Sequence, residues 1–478
     1  MRHSPVSSVG ASRRLLNHAV VLGGSIAGLL AARVLSDHFA HVTVVERDAR
    51  AQGSEPRKGV PQGHHIHALL ARGRMIADAL LPGLSDELLA AGAVRLHAGH
   101  DFAWHHAGGW RVRHGTALTF MSMSRPLLES QIGKRVAALP NVTILDDIRV
   151  ASLRTDGDRR VSGVRFAKPG SAGQASEIEA DLVVDAMGRG SSVPQWLADF
   201  GFPVPPTETA GARVTYTTCT FRRDQYGPDW RALVISGKPV RRGGLVFPIE
   251  GNRWLVTLPG LFDEPIPHDH ATFLAYARSL AVPDLHDLIR GCEPLSAIKH
   301  YRFAGSLRRH YEQLDSPPEG LIALGDAVSS FNPVYGQGMT VSAIEAEMLG
   351  QMLGQARAEG GLRPDFARTW FHAIKPVVDA AWNGGLVEDL RLPELANQRP
   401  LHLRPLQWYM DHVQRATHRS AFATDQFYRV INFLDPPERL FSARMIAEVM
   451  RASFGGSHGN VAPHDTALHQ APHVGGSR

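Results

Sequence analysis

The sequence predicts an α/β chain with a parallel-sheet domain built from discontinuous segments, an inserted β-rich domain and a helical C-terminal region. Three observations carry this reading. A short apolar run, Ala19-Val20-Val21-Leu22, leads into a glycine-rich turn, a helical pattern and a second apolar run that ends at Glu46; this is the order of a buried β-α-β unit. Between about residues 200 and 300 the pattern becomes β-branched, as in Val214-Thr215-Tyr216-Thr217-Thr218 and Trp254-Leu255-Val256-Thr257, which reads as a largely antiparallel sheet. Beyond about residue 380 the apolar spacing is mostly helical.

The elements follow in order. Leu30, Val34 and Leu35 give the first helix its periodicity, and Val42-Thr43-Val44-Val45 is the second strand. Further strands are expected at Val142 to Leu145, Val161 to Phe166 and Leu182 to Asp185. Leu321-Ile322-Ala323-Leu324 is another buried parallel-type run, followed by a loop and a long helix from Met339 to about Ala358. Ile344, Met348, Leu349, Met352 and Leu353 share one face of that helix. Leu440-Phe441, Met445-Ile446 and Val449-Met450 suggest an amphipathic helix docked on the protein's own body. The nucleotide domain is accordingly assigned to 18–95, 125–195 and 300–380, and the inserted domain to 96–124 and 200–299. A helical region at 381–454 follows, with a disordered leader at 1–17 and a Gly-, His-, Pro- and Ser-rich disordered tail at 455–478.

Composition excludes several classes. At 478 residues, 44% hydrophobic and 20% charged, the chain is neither disordered, collagen-like nor a coiled coil. Cys219 and Cys292 are its two cysteines, too few for a disulfide scaffold or a four-cysteine metal site. No apolar run reaches the roughly 20 residues of a membrane helix, so stable membrane insertion is not expected. The net charge of +5 comes from scattered arginines, which argues against a nucleic-acid surface. Ser12-Arg13-Arg14-Leu15-Leu16 has the outline of an export signal. The glycines that follow belong to a fold element that cleavage would destroy, so the expected location is cytoplasmic. His64, His65 and His67 have no carboxylate or thiol at ligand spacing, and no metal is expected.

Two motifs carry chemistry. The first is Gly23-Gly24-Ser25-Ile26-Ala27-Gly28 with Glu46 at the end of the next strand. A dinucleotide needs backbone that approaches its pyrophosphate, a helix N-terminus and an acid for the ribose hydroxyls. Gly23 would make the turn, Gly28 would allow close helix–strand packing, and Glu46 would hold the ribose. Ser25 replaces the middle glycine of the usual pattern. The second motif is Gly325-Asp326-Ala327-Val328-Ser329-Ser330-Phe331-Asn332-Pro333-Val334-Tyr335-Gly336-Gln337-Gly338-Met339. An Asp after a buried strand can accept hydrogen bonds from a polyol. The spaced glycines let backbone lie against a planar ligand, and the helix start faces an electron-rich group.

With these motifs the chain resembles the single-component flavoprotein monooxygenases of the para-hydroxybenzoate hydroxylase (PHBH) fold, over about residues 18–345. The resemblance implies an FAD-binding Rossmann-like domain of the glutathione reductase/PHBH type, an inserted β-rich substrate domain and a helical C-terminal region. It implies that Gly23, Gly24, Ser25, Ala27, Gly28, Glu46 and Arg47 bind the ADP half of FAD, and that Gly325 and Asp326 bind the ribityl chain. Pro333, Gly336, Gln337, Gly338 and Met339 would lie beside the flavin ring, with Thr340 where the family often has Asn. Arg57 and Arg125 match FAD-contacting arginines, and Gln62 joins that shell. In Asp185-Ala186-Met187-Gly188-Arg189-Gly190-Ser191, Met187 stands where the family has an Asp.

Arg57-Lys58-Gly59-Val60-Pro61-Gln62 with His64 and His67 is similar to bacterial flavin epoxidases of polyether biosynthesis. The implied activity is NAD(P)H- and O2-dependent epoxidation or hydroxylation of a small apolar organic substrate through a flavin C4a-hydroperoxide, alone or with a separate flavin reductase. Tyr216, Thr218 and Phe247 are candidates for the substrate pocket. The alternatives are a reductase of the geranylgeranyl reductase type and a non-catalytic FAD-bound protein. A tryptophan halogenase is disfavoured because its Trp-x-Trp-x-Ile-Pro run is absent.

Overall fold

The computed structural model describes residues 16–49, 56–57, 59–157, 159–167, 175–224, 227–236 and 241–454. The leader and tail assignments therefore lie outside the described residues, apart from Leu16 and Asn17, and so does Lys58. Leu16 and Asn17 open the strand Leu16–Leu22 instead of a disordered leader. The backbone amides of Asn17 and His18 donate to Asp181, which ties that end to the sheet.

Five parallel strands form the central sheet, in the order Leu321–Ala323, Leu182–Asp185, Leu16–Leu22, Phe39–Val45 and Val142–Leu145. Ala19 to Leu22, Val42 to Val45, Leu182 to Asp185 and Leu321 to Ala323 are buried, which is why they read as continuous apolar runs, whereas the edge strand Val142–Leu145 buries only Val142. The helices Ile26–Leu35 and Gly338–Ala358 pack against each other beside the sheet. Hydrogen bonding continues past the carboxyl ends of the strands: Gly23 N–H donates to Val45, Ala186 to Leu22 and Leu324 to Asp185. The turn after Leu22, the Asp185 loop and the Gly325-Asp326 loop are thereby held side by side, at the edge where open α/β sheets bind ligands.

A three-stranded antiparallel meander, Arg149–Asp156, Arg160–Ala167 and Ala175–Glu179, takes in the strand expected at 161–166. The inserted domain is a seven-stranded sheet. Its order is Lys299–Phe303, Val214–Arg222, Arg253–Leu261, Gly244–Ile249, Ala232–Ile235, Phe102–His106 and Gly109–Trp110. Cys219, Phe221, Trp254 and Val256 point from one face toward Phe273 and Leu285 of two covering helices. Tyr216, Thr218, Leu255 and Thr257 occupy the opposite face, set by the two-residue period of a strand.

Two boundaries drawn from the sequence shift. Lys299–Phe303 pairs with Val214–Thr218, so the inserted domain continues past residue 299. The helix Phe366–Asp389 runs through the boundary at 380 because its buried face, from Trp370 to Gly385, is continuous.

The C-terminal helices Leu403–Ala416, Ala421–Ile431 and Ala443–Phe454 meet the inserted domain at Arg111. The guanidinium lies 4.0 Å from the ring centres of both Trp104 and Phe427, and Nη2 donates to Gln414 Oε1 at 2.6 Å. Burial without a carboxylate partner pulls its pKa down to about 10. Arg111 is thus held by aromatic faces. Arg111→Ala should cost about 2–4 kcal/mol, through the cavity opened between two rings. A chemical melt in which the variant unfolds within 0.5 kcal/mol of wild type would contradict this.

Candidate functional site

At the glycine-rich turn the site is an ion-pair lattice. Glu46 Oε2 accepts from Gly24 N–H at 2.7 Å and pairs with Arg57 Nη1 at 2.8 Å. Its Oε1 accepts from Asp48 N–H at 2.9 Å. Arg57 Nε reaches Glu129 at 2.6 Å, and Glu129 also accepts from the Ser25 hydroxyl at 2.8 Å. Arg125 Nη2 donates to the same Ser25 oxygen at 2.8 Å. The residue that departs from the glycine pattern therefore ties the turn to the helix Arg125–Ala137. Burial would raise the Glu129 carboxyl, but Arg125 and Arg57 outweigh it and hold it below the ordinary range. Arg57 stays protonated because Glu129 and Glu46 outweigh its desolvation.

Arg57 Nη2 is buried and has no partner among the described residues. A cleft of about 120 Å³ lies beside it, lined by Gly24, Glu46, Arg57, Arg125 and Lys134. Arg47 is exposed, and its Nη2 donates to the Gly59 carbonyl at 3.3 Å. Gln62 contributes its carbonyl to the turn before His65.

Around the second motif, Gly325 has φ +60°, and a Cβ there would lie 2.9 Å from Ala27 Cβ. This is where the two motifs touch. Asp326 projects between Gly188 and Gly338, whose added Cβ atoms would meet it at 3.8 and 3.5 Å. Burial pushes the Asp326 carboxyl up, against Arg125 and Arg189. Gln337 sits at the N-terminus of the helix Gly338–Ala358, and its Oε1 is buried with no partner among the described residues. Met339 is buried, whereas Pro333 is exposed. Thr340 is spent on packing: its hydroxyl accepts from Leu70 N–H at 3.2 Å.

The Asp185 loop is held without the acid that Met187 replaces. Asp185 accepts from Met187 N–H at 3.0 Å and from the Ser191 hydroxyl at 2.5 Å, and burial raises its pKa to about 6.

Asp389, at the end of the helix Phe366–Asp389, accepts from the Tyr335 hydroxyl at 2.7 Å and from Ala212 N–H at 2.9 Å. Gly385 makes room for the Tyr335 ring, whose atoms would lie 3.1 Å from a Cβ there.

Between the seven-stranded sheet and Pro56, Gly63, His64, Ser124 and Pro126 is a cleft of about 330 Å³. Ile249, Leu255 and Leu295 give it apolar walls, and Thr218, Thr220 and Arg253 add polar ones. Of the three pocket candidates, Thr218 lines this cleft. Tyr216 reaches the second motif instead, with its hydroxyl 3.4 Å from Asn332 Oδ1. Phe247 shares the Thr218 face but is packed against Leu96, Ala232 and Phe102. Glu129 and Asp389 were not singled out as site residues from sequence. Glu129 had one local cue, its position four residues after Arg125.

The model of the FAD binding domain family matches residues 17–363. Protein Rv3254 of Mycobacterium tuberculosis (strain ATCC 25618 / H37Rv) is 34% identical over 432 residues, covering 88% of this chain and 90% of that protein. Two solved structures share the fold at 18% identity. PqsL of Pseudomonas aeruginosa, a probable FAD-dependent monooxygenase, has a TM-score of 0.60 and covers 80% of this chain and 100% of its own. The p-nitrophenol 4-monooxygenase PnpA of Pseudomonas putida DLL-E4 has a TM-score of 0.62, covering 88% and 98%.

Proposed function

The chain belongs to the FAD binding domain family and is a flavin-dependent oxidoreductase, and from that premise we propose that it is a monooxygenase acting on a small apolar organic substrate. The residues present fit FAD. Two buried polar atoms, Arg57 Nη2 and Gln337 Oε1, lack partners among the described residues. Arg57 is paired with Glu46 of the first motif and Gln337 lies in the second, and the two motifs meet at Gly325 and Ala27. Bound FAD would supply hydride acceptance and oxygen activation, chemistry that belongs to the cofactor.

The chain's own residues do the rest. Arg57 and Arg125 offer positive charge to a pyrophosphate, Glu46 and Asp326 accept from sugar and polyol hydroxyls, and the sheet closes a dry wall over the ring. The observation that carries the reading is the cleft of about 330 Å³ between that sheet and the segment of Pro56, Gly63 and His64 next to Arg57. Ile249, Leu255 and Leu295 would take the alkene or aromatic part of a substrate, and Thr218, Thr220, Arg253 and Lys299 a polar substituent. Epoxidation is the favoured branch, on the likeness of the Gly59-Val60-Pro61-Gln62 run to flavin epoxidases. NAD(P)H is the proposed reductant and the cytoplasm, where it is plentiful, the proposed compartment.

The test is NADH or NADPH consumption by the yellow protein across a panel of alkenes and phenols under 18O2. Substrate-stimulated consumption with one 18O in the product supports the proposal. Consumption without incorporation supports a reductase. Activity that appears only with an added flavin reductase assigns the reductant to that partner. Asp326→Ala should raise the Kd for FAD on the order of a hundredfold, since one carboxylate accepting from hydroxyls is worth roughly 2–3 kcal/mol. Equilibrium titration of the apoprotein by flavin fluorescence reads this directly.

A further inference from the structure

Residue His65 is buried, 4% exposed, and ends a chain of hydroxyls that crosses from the sheet. Ile66 N–H donates to Thr257 Oγ1 at 3.4 Å, Thr257 and Thr218 hydroxyls lie 2.7 Å apart, and Thr218 lies 2.7 Å from His65 Nδ1. One polarity satisfies every group between the Ile66 amide and Nδ1. Thr257 accepts from the amide and gives its single hydrogen to Thr218, and Thr218 gives its own to Nδ1. Nδ1 is then the bare nitrogen, and the proton of the neutral ring sits on Nε2. The opposite polarity would leave the Thr257 hydrogen buried with no acceptor among the described residues.

Nε2 has no partner among the described residues. A buried N–H without an acceptor costs about 1–3 kcal/mol, so an acceptor is expected from outside the chain. The surroundings say which. The imidazole lies between the rings of Tyr216 and Tyr301, 6.0 and 5.8 Å away. Tyr216 reaches Asn332 of the second motif, and the Tyr301 hydroxyl is raised by burial and by the charge of Asp326, with Arg189 opposing. His67, whose Nδ1 lies 2.9 Å from the His65 carbonyl, feels Arg125 at the start of the helix Arg125–Ala137. The two tyrosines beside the ring thus connect it to Asn332 and Asp326 of the second motif and to Arg189 of the Asp185 loop. Burial, with His67, His64 and His300 nearby, pulls its pKa down to about 3, so the imidazole is neutral at working pH.

We propose that His65 is a positioning residue for the flavin, locked by the Thr257–Thr218 relay as the Nε2–H tautomer and donating that hydrogen to an acceptor atom of the isoalloxazine ring. The inference rests on FAD as the bound cofactor. A neutral donor at this edge stabilises the reduced, more electron-rich flavin more than the oxidised one. It raises the midpoint potential without bringing in a charge.

Two measurements test it. In the FAD-loaded protein labelled with 15N-histidine, long-range 1H–15N correlation should show the His65 ring as the Nε2–H tautomer, unchanged from pH 5 to 9. His65→Gln identifies its signals among those of the 25 histidines. An Nδ1–H pattern overturns the relay. In the second, His65→Phe should raise the Kd for FAD roughly tenfold, shift the flavin absorption maximum and lower the midpoint potential. His65→Gln, which carries one acceptor and one donor group, should restore all three toward wild type. A His65→Phe protein with the wild-type Kd, spectrum and potential overturns the donor role. If His65→Phe does not fold, the wild-type tautomer and the Gln variant still decide. A wild-type protein that binds no FAD would instead overturn the cofactor reading, and that is seen without any variant.

Discussion

A methyl group added at Gly28 will destabilise the protein by about 3 kcal/mol or more and will leave it without FAD. The Cβ of Gly28→Ala would lie 1.9 Å from the Gly23 carbonyl oxygen and 3.2 Å from Val21 Cγ1. Neither neighbour can yield. Gly23 stands at φ +103°, a conformation open to glycine, and Val21 is wholly buried in a central strand. The helix Ile26–Leu35 would have to lift from the strand, carrying with it the N-terminus that faces the dinucleotide cleft. Gly384→Ala is the control. It is exposed in the helix Phe366–Asp389, where an added Cβ would meet nothing within 4 Å. There alanine should stabilise by about 0.5–1 kcal/mol through helix propensity. Thermal melts and flavin content per chain decide the matter. Equal melting temperatures for the two variants would refute it.

The second large effect is a pH dependence carried by Glu345. This carboxyl is wholly buried on the helix Gly338–Ala358, where Oε2 accepts from Gly325 N–H at 2.6 Å. Burial lifts its pKa to about 8, with the neighbouring Asp326 charge adding to the rise. Between the unfolded pKa near 4.5 and about 8 the folded protein therefore holds a proton that the unfolded chain has lost. The contribution of this group is full below pH 4.5, falls as pH rises through that window and levels off above 8. The loss is on the order of 3–5 kcal/mol.

Glu345→Gln keeps the acceptor for Gly325 and removes the titration. The variant should match wild type near pH 5 and exceed it by several kcal/mol at pH 8.5. His65 and His67 act in the opposite direction and elsewhere on the scale. Burial lowers both to about 3, so their contribution is present above pH 6.5 and is lost as pH falls toward 3. Denaturant midpoints at pH 5, 7 and 8.5 separate the two. Parallel pH profiles for wild type and Glu345→Gln would sink the assignment.

What the sequence revealed was local in the chain. Ala19 to Leu22, the turn and Glu46 lie within one β-α-β unit, so spacing alone was enough to read them. The loops after Leu22, Asp185 and Ala323 then meet because parallel strands deliver their carboxyl ends to one edge. What escaped was made by contacts between distant residues. The relay from Thr257 to His65 joins segments separated by 191 residues at Ile66, and Asp389 meets Ala212 across 177. A buried Thr in a β-run looks like a packing residue until its partner is known. Glu129, four positions after Arg125, reads as an ordinary helix-surface pair. Tertiary folding instead places Arg57 and Ser25 on the same carboxylate. The boundary at 380 failed for a related reason, since helical periodicity marks the face of Phe366–Asp389 but not where its partners change.

The Asp389 contact also bears on how such proteins can be shuffled. The family match ends at residue 363, yet the helix beyond it supplies the carboxylate that holds Tyr335 on one side and Ala212 on the other. A crossover between relatives placed at that limit would separate Tyr335 from the carboxylate it was selected with. Heritable exchange of specificity has a safer seam after Asp389. An exchange of the terminal helices there leaves Tyr335 with its own anchor, provided that the incoming helices bring matching partners for Arg111 and Trp104.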